Sequence, residues 1–383
     1  MKASLERILT THVGSLPRPP EVVDCLLRKE KGEALEQARF ARTMREGVLE
    51  IVRRQAQAGI DVVSDGETSK ISYSTYIKDR YAGFGGEHRP KTHLDLREHP
   101  EFRERMKAFL GPRHERRMQC TAPVALKDRT PLDQDLAHLR AALDAVPRTE
   151  GFLNAASPGV VAAFMPNAHY ASHEAYIEAL AAALRLEYEA IVAAGFVLQV
   201  DCPDLAMARH TAFQELSEAQ FLARAEFHVA ALNHALARVP ADRVRIHVCW
   251  GNYEGPHDHD IGLERILPIV LKLKAGAVSF EAANPRHEHE WTVWRDARLP
   301  EDLLLVPGVL DSCSNYVEHP ELVAQRIERF ARIVGRERVI AGSDCGFGTF
   351  AGYAKVDGGI AFKKLRTLSE GAALASKRLW ERR

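Results

Sequence analysis

"AAGFVLQVDCPD", residues 193–204, holds the end of one element and the whole of the next. A long run of helix formers stops at Gly195, an apolar stretch follows, and Asp201 stands at its tip. "AQAGIDVVSDGE", residues 56–67, repeats the order of helix, glycine, apolar run and acidic tip. Such a unit belongs to a parallel sheet whose strands are buried on both faces. Outward from these two, apolar runs recur at 8–13, 152–156, 243–249, 277–281, 304–310 and 338–343. With 60–65 and 196–201 they make eight, most of them separated by helical stretches. Eight units predict an α/β chain folded as a (β/α)8 TIM barrel. Apolar spacing of three and four predicts helices over 173–194, 216–237 and 320–334, the last with Pro320 in its first turn.

The 383 residues suffice for one large barrel or two ordinary domains. No Gly/Ser-rich linker or repeat divides them, so 1–383 is expected to be a single barrel domain. One interval breaks the rhythm, with about 85 residues between the second and third strands. This stretch, 68–150, is rich in Arg, His and Pro and contains the strand-like "MQCTAPVAL". It predicts an insertion on the catalytic face, with a β-hairpin and helices. Lys+Arg and Asp+Glu both number 52, which gives no reason to expect a nucleic acid or an anionic membrane as partner. No apolar run approaches the roughly 20 residues of a membrane span. Glu6 and Arg7 fall where a signal peptide needs its apolar core, which predicts a cytoplasmic protein. Six cysteines in this length are no disulfide framework. A homo-oligomer is left open.

In a parallel barrel, functional groups gather at the C-terminal ends of the strands. Here those ends carry acids and sulfur: Asp65 and Glu67, Asp201, His247 and Cys249, Glu281, Asp311 and Cys313, Asp344 and Cys345. His247 and Cys249 lie two apart in a strand and so share a face. With Glu281 and Cys345 they offer one imidazole, two thiolates and a carboxylate, ligand types that zinc accepts. The bland alternative makes His247 a core histidine, Cys345 a small buried side chain and Glu281 a partner of Arg286. Each holds alone as easily as ligation does; all three together, at nearby strand ends, are less economical than one Zn2+ site. A carboxylate is the ligand of such a set that most readily yields to substrate.

These segments resemble the catalytic C-terminal domain of the cobalamin-independent methionine synthase family, above all its shorter single-barrel branch. The likeness runs through most of 8–355 and is weakest in 68–150. "HVGSLPR" is similar to the family's Ile-Gly-Ser segment, implying that Ser15 and its backbone hold an amino acid's carboxylate. "DGE" and "VDCPDLA" resemble the segments that bind the substrate amine, implying Glu67 and Asp201. "HVC", "FEAAN" and "DCGFGT" resemble the zinc-bearing segments, implying His247, Cys249, Glu281 and Cys345 as ligands. The resemblance implies methyl transfer to a homocysteine-like thiol, in methionine biosynthesis, from a small-molecule methyl donor such as 5-methyltetrahydrofolate.

Two departures stand out. "SPGVVAAFMPN" lacks the family's folate-stacking tryptophan, leaving Phe164, and "LDSCSN" places Cys313 where the family has a proton-relaying histidine. Nor is a counterpart of the full-length family's N-terminal barrel expected. Together these predict weak use of polyglutamylated methyl-folate. A free thiol is mostly protonated at neutral pH, and zinc holds it as the nucleophilic thiolate. A leaving group then needs a proton, for which Asp311, Cys313 and the His287–His289 run are candidates. Three rivals accompany this reading: zinc-dependent alkyl transfer between a thiol and a non-folate electrophile such as an epoxide, a zinc hydrolase, and a zinc or thiol carrier. Two thiolates count against the hydrolase, and the Glu67–Asp201 pair against the carrier.

Overall fold

The computed structural model describes residues 1–110, 116–146, 150–353 and 355–381. Among them ten strands follow one another: β1 Leu9–Thr10, β2 Val62–Ser64, β3 Tyr81–Gly85, β4 Gln119–Leu126, β5 Glu150–Ala156, β6 Val197–Asp201, β7 Val244–His247, β8 Ala277–Phe280, β9 Leu304–Leu310 and β10 Ile340–Ser343. Eight of them form one parallel sheet in the order β1-β10-β9-β8-β7-β6-β5-β2. Its two ends meet: Asp61 N donates to Thr10 O at 3.1 Å and Thr11 Oγ1 to Val62 O at 3.0 Å. The result is a nearly closed TIM barrel. Every residue of β6 through β10 is buried, as continuous apolar runs require when helices cover the outside.

The run 8–13 keeps only two ladder residues. Past Thr11 the ladder gives way to side-chain bonds, with Val13 N held by Ser343 Oγ and Val13 O by Asn154 Nδ2. Helices occupy His173–Ala193, Glu218–Ala235 and Pro320–Val334, within two residues of their expected ends. Ser172 and Ser217 cap the first two by accepting from Ala175 N and Gln220 N, and Pro320 opens the third. No helix among the described residues is long and apolar enough to cross a membrane.

Within 68–150, β3 and β4 pair antiparallel as a separate two-stranded ribbon, with a helix at Pro100–Leu110 between them. The interval ends in a helix, Thr130–Ala145, that packs on the barrel helix Gln37–Gln57. That helix is the barrel's own crossover from β2 to β5, so the added segment is about residues 68–129. Its root is tied to the barrel wall by charge. Buried Arg80 bonds both Asp135 and Glu187, and Tyr76 donates its hydroxyl to Glu187 at 2.7 Å.

Candidate metal centre and substrate cleft

β6 and β7 lie in register, with Gln199 opposite Arg245 and Asp201 opposite His247. All four side chains are buried, and their contacts are with one another across the barrel interior. Cys249 follows two residues beyond His247, and Cys345 comes from the tip of β10. The ligand atoms of His247, Cys249 and Cys345 all lie within 4.8 Å of one another, with the two sulfurs 3.8 Å apart. Close approach of the chain at this tip depends on Gly346: a Cβ there would stand 2.0 Å from Ser15 Oγ.

His247 Nδ1 sits 3.3 Å from Asp201 Oδ1, whereas Nε2 is buried without a hydrogen-bond partner. A buried nitrogen left without a partner beside two sulfurs is costly. It fits a metal that takes Nε2 while a carboxylate holds Nδ1–H. The Cys249 hydrogen bond and the neighbouring His247 charge hold Cys345 well below the usual thiol range, despite burial. The same hydrogen bond between the two sulfurs, together with burial, pushes Cys249 up. Burial opposes charge on His247, but Asp201 and the neighbouring Cys345 sulfur outweigh it and push the imidazole up to about 10. The cluster therefore holds protons that a cation would displace.

Glu281 lies outside this cluster. Its Oε1 accepts from Trp250 N at 2.8 Å and its Oε2 from Asn284 Nδ2 at 2.7 Å, and it makes no pair with Arg286. The loop that carries it is clamped by Asp344, which accepts from the backbone N–H groups of Ala282, Ala283 and Asn284. The structure thus brings together three of the four expected ligands and leaves Glu281 outside the cluster.

A cleft of about 360 Å³ opens over these residues, lined by Ser15, Glu67, Asp201, His247, Cys249 and Cys345 at its floor. Glu67 is buried, and its Oε2 has no partner. It also holds a left-handed backbone at φ 54°, a conformation that non-glycine residues keep only where surroundings enforce it. Arg18 enforces it here, donating twice to Glu67 O. Burial, aided by the negative charges of Asp201 and Asp65, pushes the Glu67 carboxyl up to about 8. Asp201 is more fully engaged: it accepts from Gln199 Nε2, Asn154 Nδ2 and His247 Nδ1. It serves the histidine as well as the cleft.

Because folded Glu67 binds its proton more tightly than the unfolded chain does, its effect on stability is unfavourable at high pH. The cost is absent below about pH 4.5, grows as pH rises, and is complete above about pH 8. Glu67→Gln in metal-free protein is therefore expected to melt a few degrees higher than wild type above about pH 8 and to converge with it toward about pH 4.5. Thermal melts across pH check this; a pH-independent difference contradicts it.

Aromatic side chains wall the cleft. Tyr73 meets Phe164 edge-on at 5.5 Å and Phe350 at 6.0 Å, and Arg117 lies over the Phe164 ring at 5.1 Å. Tyr73 and Arg117 come from the added segment, so the missing tryptophan does not leave this cleft without aromatic faces. The stacking argument against folate loses force accordingly.

Neither Asp311 nor Cys313 lines the cleft. Asp311 caps its own loop by accepting from Cys313 N and Ser314 N. Burial pushes Cys313 up to about 12, and its thiol donates to Asn252 Oδ1 at 3.2 Å. Asn252, which does line the cleft, is also bonded to Ser312 Oγ and Thr349 Oγ1. His287 is locked between Asp260 and Glu290, each at 2.9 Å. Sequence reasoning missed Asn154, Gln199, Arg245 and Asn252, and named Asp344 only as an acidic strand tip. For Gln199 and Arg245 a signal existed, since each stands two residues before a recognised group on the same face.

The family model described as "Cobalamin-independent synthase, Catalytic domain" matches residues 8–84 and 134–366, leaving out much of the added segment. The chain is 25% identical over 374 residues to the methionine synthase of Thermococcus kodakarensis, spanning 97% of this chain and 94% of that protein. To the methionine synthase of Saccharolobus solfataricus it is 22% identical over 381 residues, 98% of this chain and 97% of that one. In fold it matches a B12-independent methionine synthase from Shewanella sp. W3-18-1, solved in complex with selenomethionine, with a TM-score of 0.70 at 18% identity over 98% and 99% of the two chains. A protein described as a vitamin-B12 independent methionine synthase from Listeria monocytogenes gives 0.65 at 16%, over 98% and 99%. Matched over most of its length, this chain belongs to the cobalamin-independent synthase catalytic-domain family.

Proposed function

We propose that this protein is a zinc-dependent S-methyltransferase whose acceptor is an amino-acid thiol of the homocysteine type. The observation that carries the reading is the orphan Nε2 of His247 beside the Cys249 and Cys345 sulfurs, on the floor of the same cleft as the unsatisfied Glu67 carboxylate. Methionine synthases among its relatives give the same direction.

In this reading His247, Cys249 and Cys345 would hold the metal, with Glu281 as the candidate for a fourth ligand. Bound zinc supplies a Lewis-acidic centre that keeps a thiol deprotonated at neutral pH. Glu67 Oε2 takes the substrate ammonium, which restores the charged carboxylate that burial disfavours. Asp201 borders the same spot while orienting His247, and Ser15 with its backbone takes the substrate carboxylate. The aromatic wall of Tyr73, Phe164 and Phe350 keeps water from the electrophilic methyl group and holds the donor's body. The sulfur–carbon bond forms as the donor–carbon bond breaks, and the donor's leaving atom takes the electron pair and then a proton, which balances the one the thiol gives up. Cys313 is a poor source of that proton, since it lies outside the cleft and holds its proton to about pH 12. Its place is to fix Asn252. The epoxide–thiol alternative gains no support from these relatives.

The test incubates zinc-loaded protein with homocysteine and a panel of methyl donors, methyl-folates with one and three glutamates included, and follows products by mass spectrometry. Methionine formed from one donor class is the expected result. Turnover of no amino-acid thiol contradicts the reading.

A further inference from the structure

We infer that Gln199 and Arg245 are positioning residues that commit His247 to offer Nε2 to a ligand, an inference that rests on the metal reading above. The argument is one of hydrogen-bond direction. A guanidinium has donors only, so Arg245 Nε, 2.6 Å from Gln199 Oε1, fixes which end of that amide is oxygen. Gln199 Nε2 must then point the other way, where it donates to Asp201 Oδ1 at 2.7 Å and to Val13 O. Asn154 Nδ2 donates to Asp201 Oδ2 at 3.0 Å, so the carboxylate is held at both oxygens. Oδ1 faces His247 Nδ1, which must carry hydrogen to make that contact favourable. Only Nε2 remains to act as an electron-pair donor. The chain of four is built by register: Gln199 opposite Arg245, Asp201 opposite His247.

Arg245 cannot be read as filler. It is 1% exposed, donates to Thr11 Oγ1 at 2.9 Å and His12 O at 2.7 Å, and lies 3.7 Å over the Phe152 ring. A barrel interior filled by Val, Ile or Leu would pack as well without a buried charge. Its position one layer below the cluster, aimed at the amide that holds Asp201, gives the charge a purpose.

The test compares wild type with Gln199→Glu and Gln199→Met. Gln199→Glu still accepts from Arg245, so a merely structural glutamine predicts unchanged zinc binding. The positioning role predicts otherwise, because a carboxylate cannot donate to Asp201. Zinc affinity, measured by competition with a chromogenic chelator, is expected to fall about 10- to 100-fold in both variants, the range typical of lost partners behind metal ligands. Metal-free Gln199→Glu is expected to melt lower than wild type, because its carboxylate is set against Asp201 Oδ1. Gln199→Met decides the matter if Gln199→Glu does not fold. Affinity within about twofold of wild type in the folded variants overturns the inference. Crystal structures of the metal-free proteins separate it from the metal reading itself. The His247–Asp201 contact should persist in wild type and be lost in the variants, and its survival in the variants overturns the inference whether or not wild type binds zinc.

Discussion

Cys249→Ala and Cys345→Ala are each expected to leave the purified protein with less than about a tenth of the wild-type zinc, while wild type holds about one ion per chain. The expectation follows from how few donors converge. Three ligand atoms lie within 4.8 Å of one another, and removing one sulfur leaves two, too few for a site that favours four. In Cys249→Ala the remaining Cys345 also loses the partner at 3.8 Å that helps hold it as a thiolate. Glu281→Ala should cost less, because its carboxylate stands outside the cluster, bonded to Trp250 N and Asn284 Nδ2. Metal analysis of the three variants, each first shown to be folded, gives the answer. Full zinc content in both cysteine variants would remove the site.

Glu67→Gln is expected to lower kcat/KM for the amino-acid thiol tenfold or more while leaving zinc in place. A charge-assisted hydrogen bond lost from a buried site costs roughly 1.5–3 kcal/mol. The pH dependence has a definite sign. In wild type the empty site keeps Glu67 protonated below about pH 8, so binding an ammonium there must expel a proton and KM rises as pH falls. That slope should vanish in Glu67→Gln. Asp201→Asn behaves differently: on sequence grounds it too should spare the metal, but its carboxylate faces His247 Nδ1, so zinc and turnover are expected to fall together. Wild-type efficiency in Glu67→Gln, with the pH slope intact, would mean that the acceptor carries no amine there.

Much of this is legible in the sequence because a parallel barrel writes its active face at fixed places. His247 and Cys249 announce themselves by their spacing of two, and the acidic or sulfur-bearing tips of β2, β6 and β10 lie where apolar runs stop. The rest depends on pairing. Gln199 and Arg245 each stand two residues before a recognised group, but that they meet is set by a register that no single strand reveals. Glu281 has the right residue type and strand end, but its present partners are a backbone N–H and an asparagine three residues on. Cys313 occupies the relay position of the resemblance, yet its thiol bonds Asn252, and it is Asn252 rather than Cys313 that lines the cleft. The ribbon's first strand, "YAGFG", escapes notice because glycine and partial exposure erase the alternation that marks a strand. The helix Thr130–Ala145 is hidden for a simpler reason: the long added segment before it breaks the spacing by which barrel helices are counted.

The central claim, that a metal held by His247, Cys249 and Cys345 serves methyl transfer to an amino-acid thiol, is tested most directly by one assay. Protein stripped of metal, then restored with zinc, is given homocysteine and a donor carrying an isotopically heavy methyl group, and the methionine formed is weighed by mass spectrometry. The account predicts heavy methionine in proportion to the zinc restored and none from stripped protein. Equal product from stripped protein, or none from the restored protein with any donor in the panel, would contradict it.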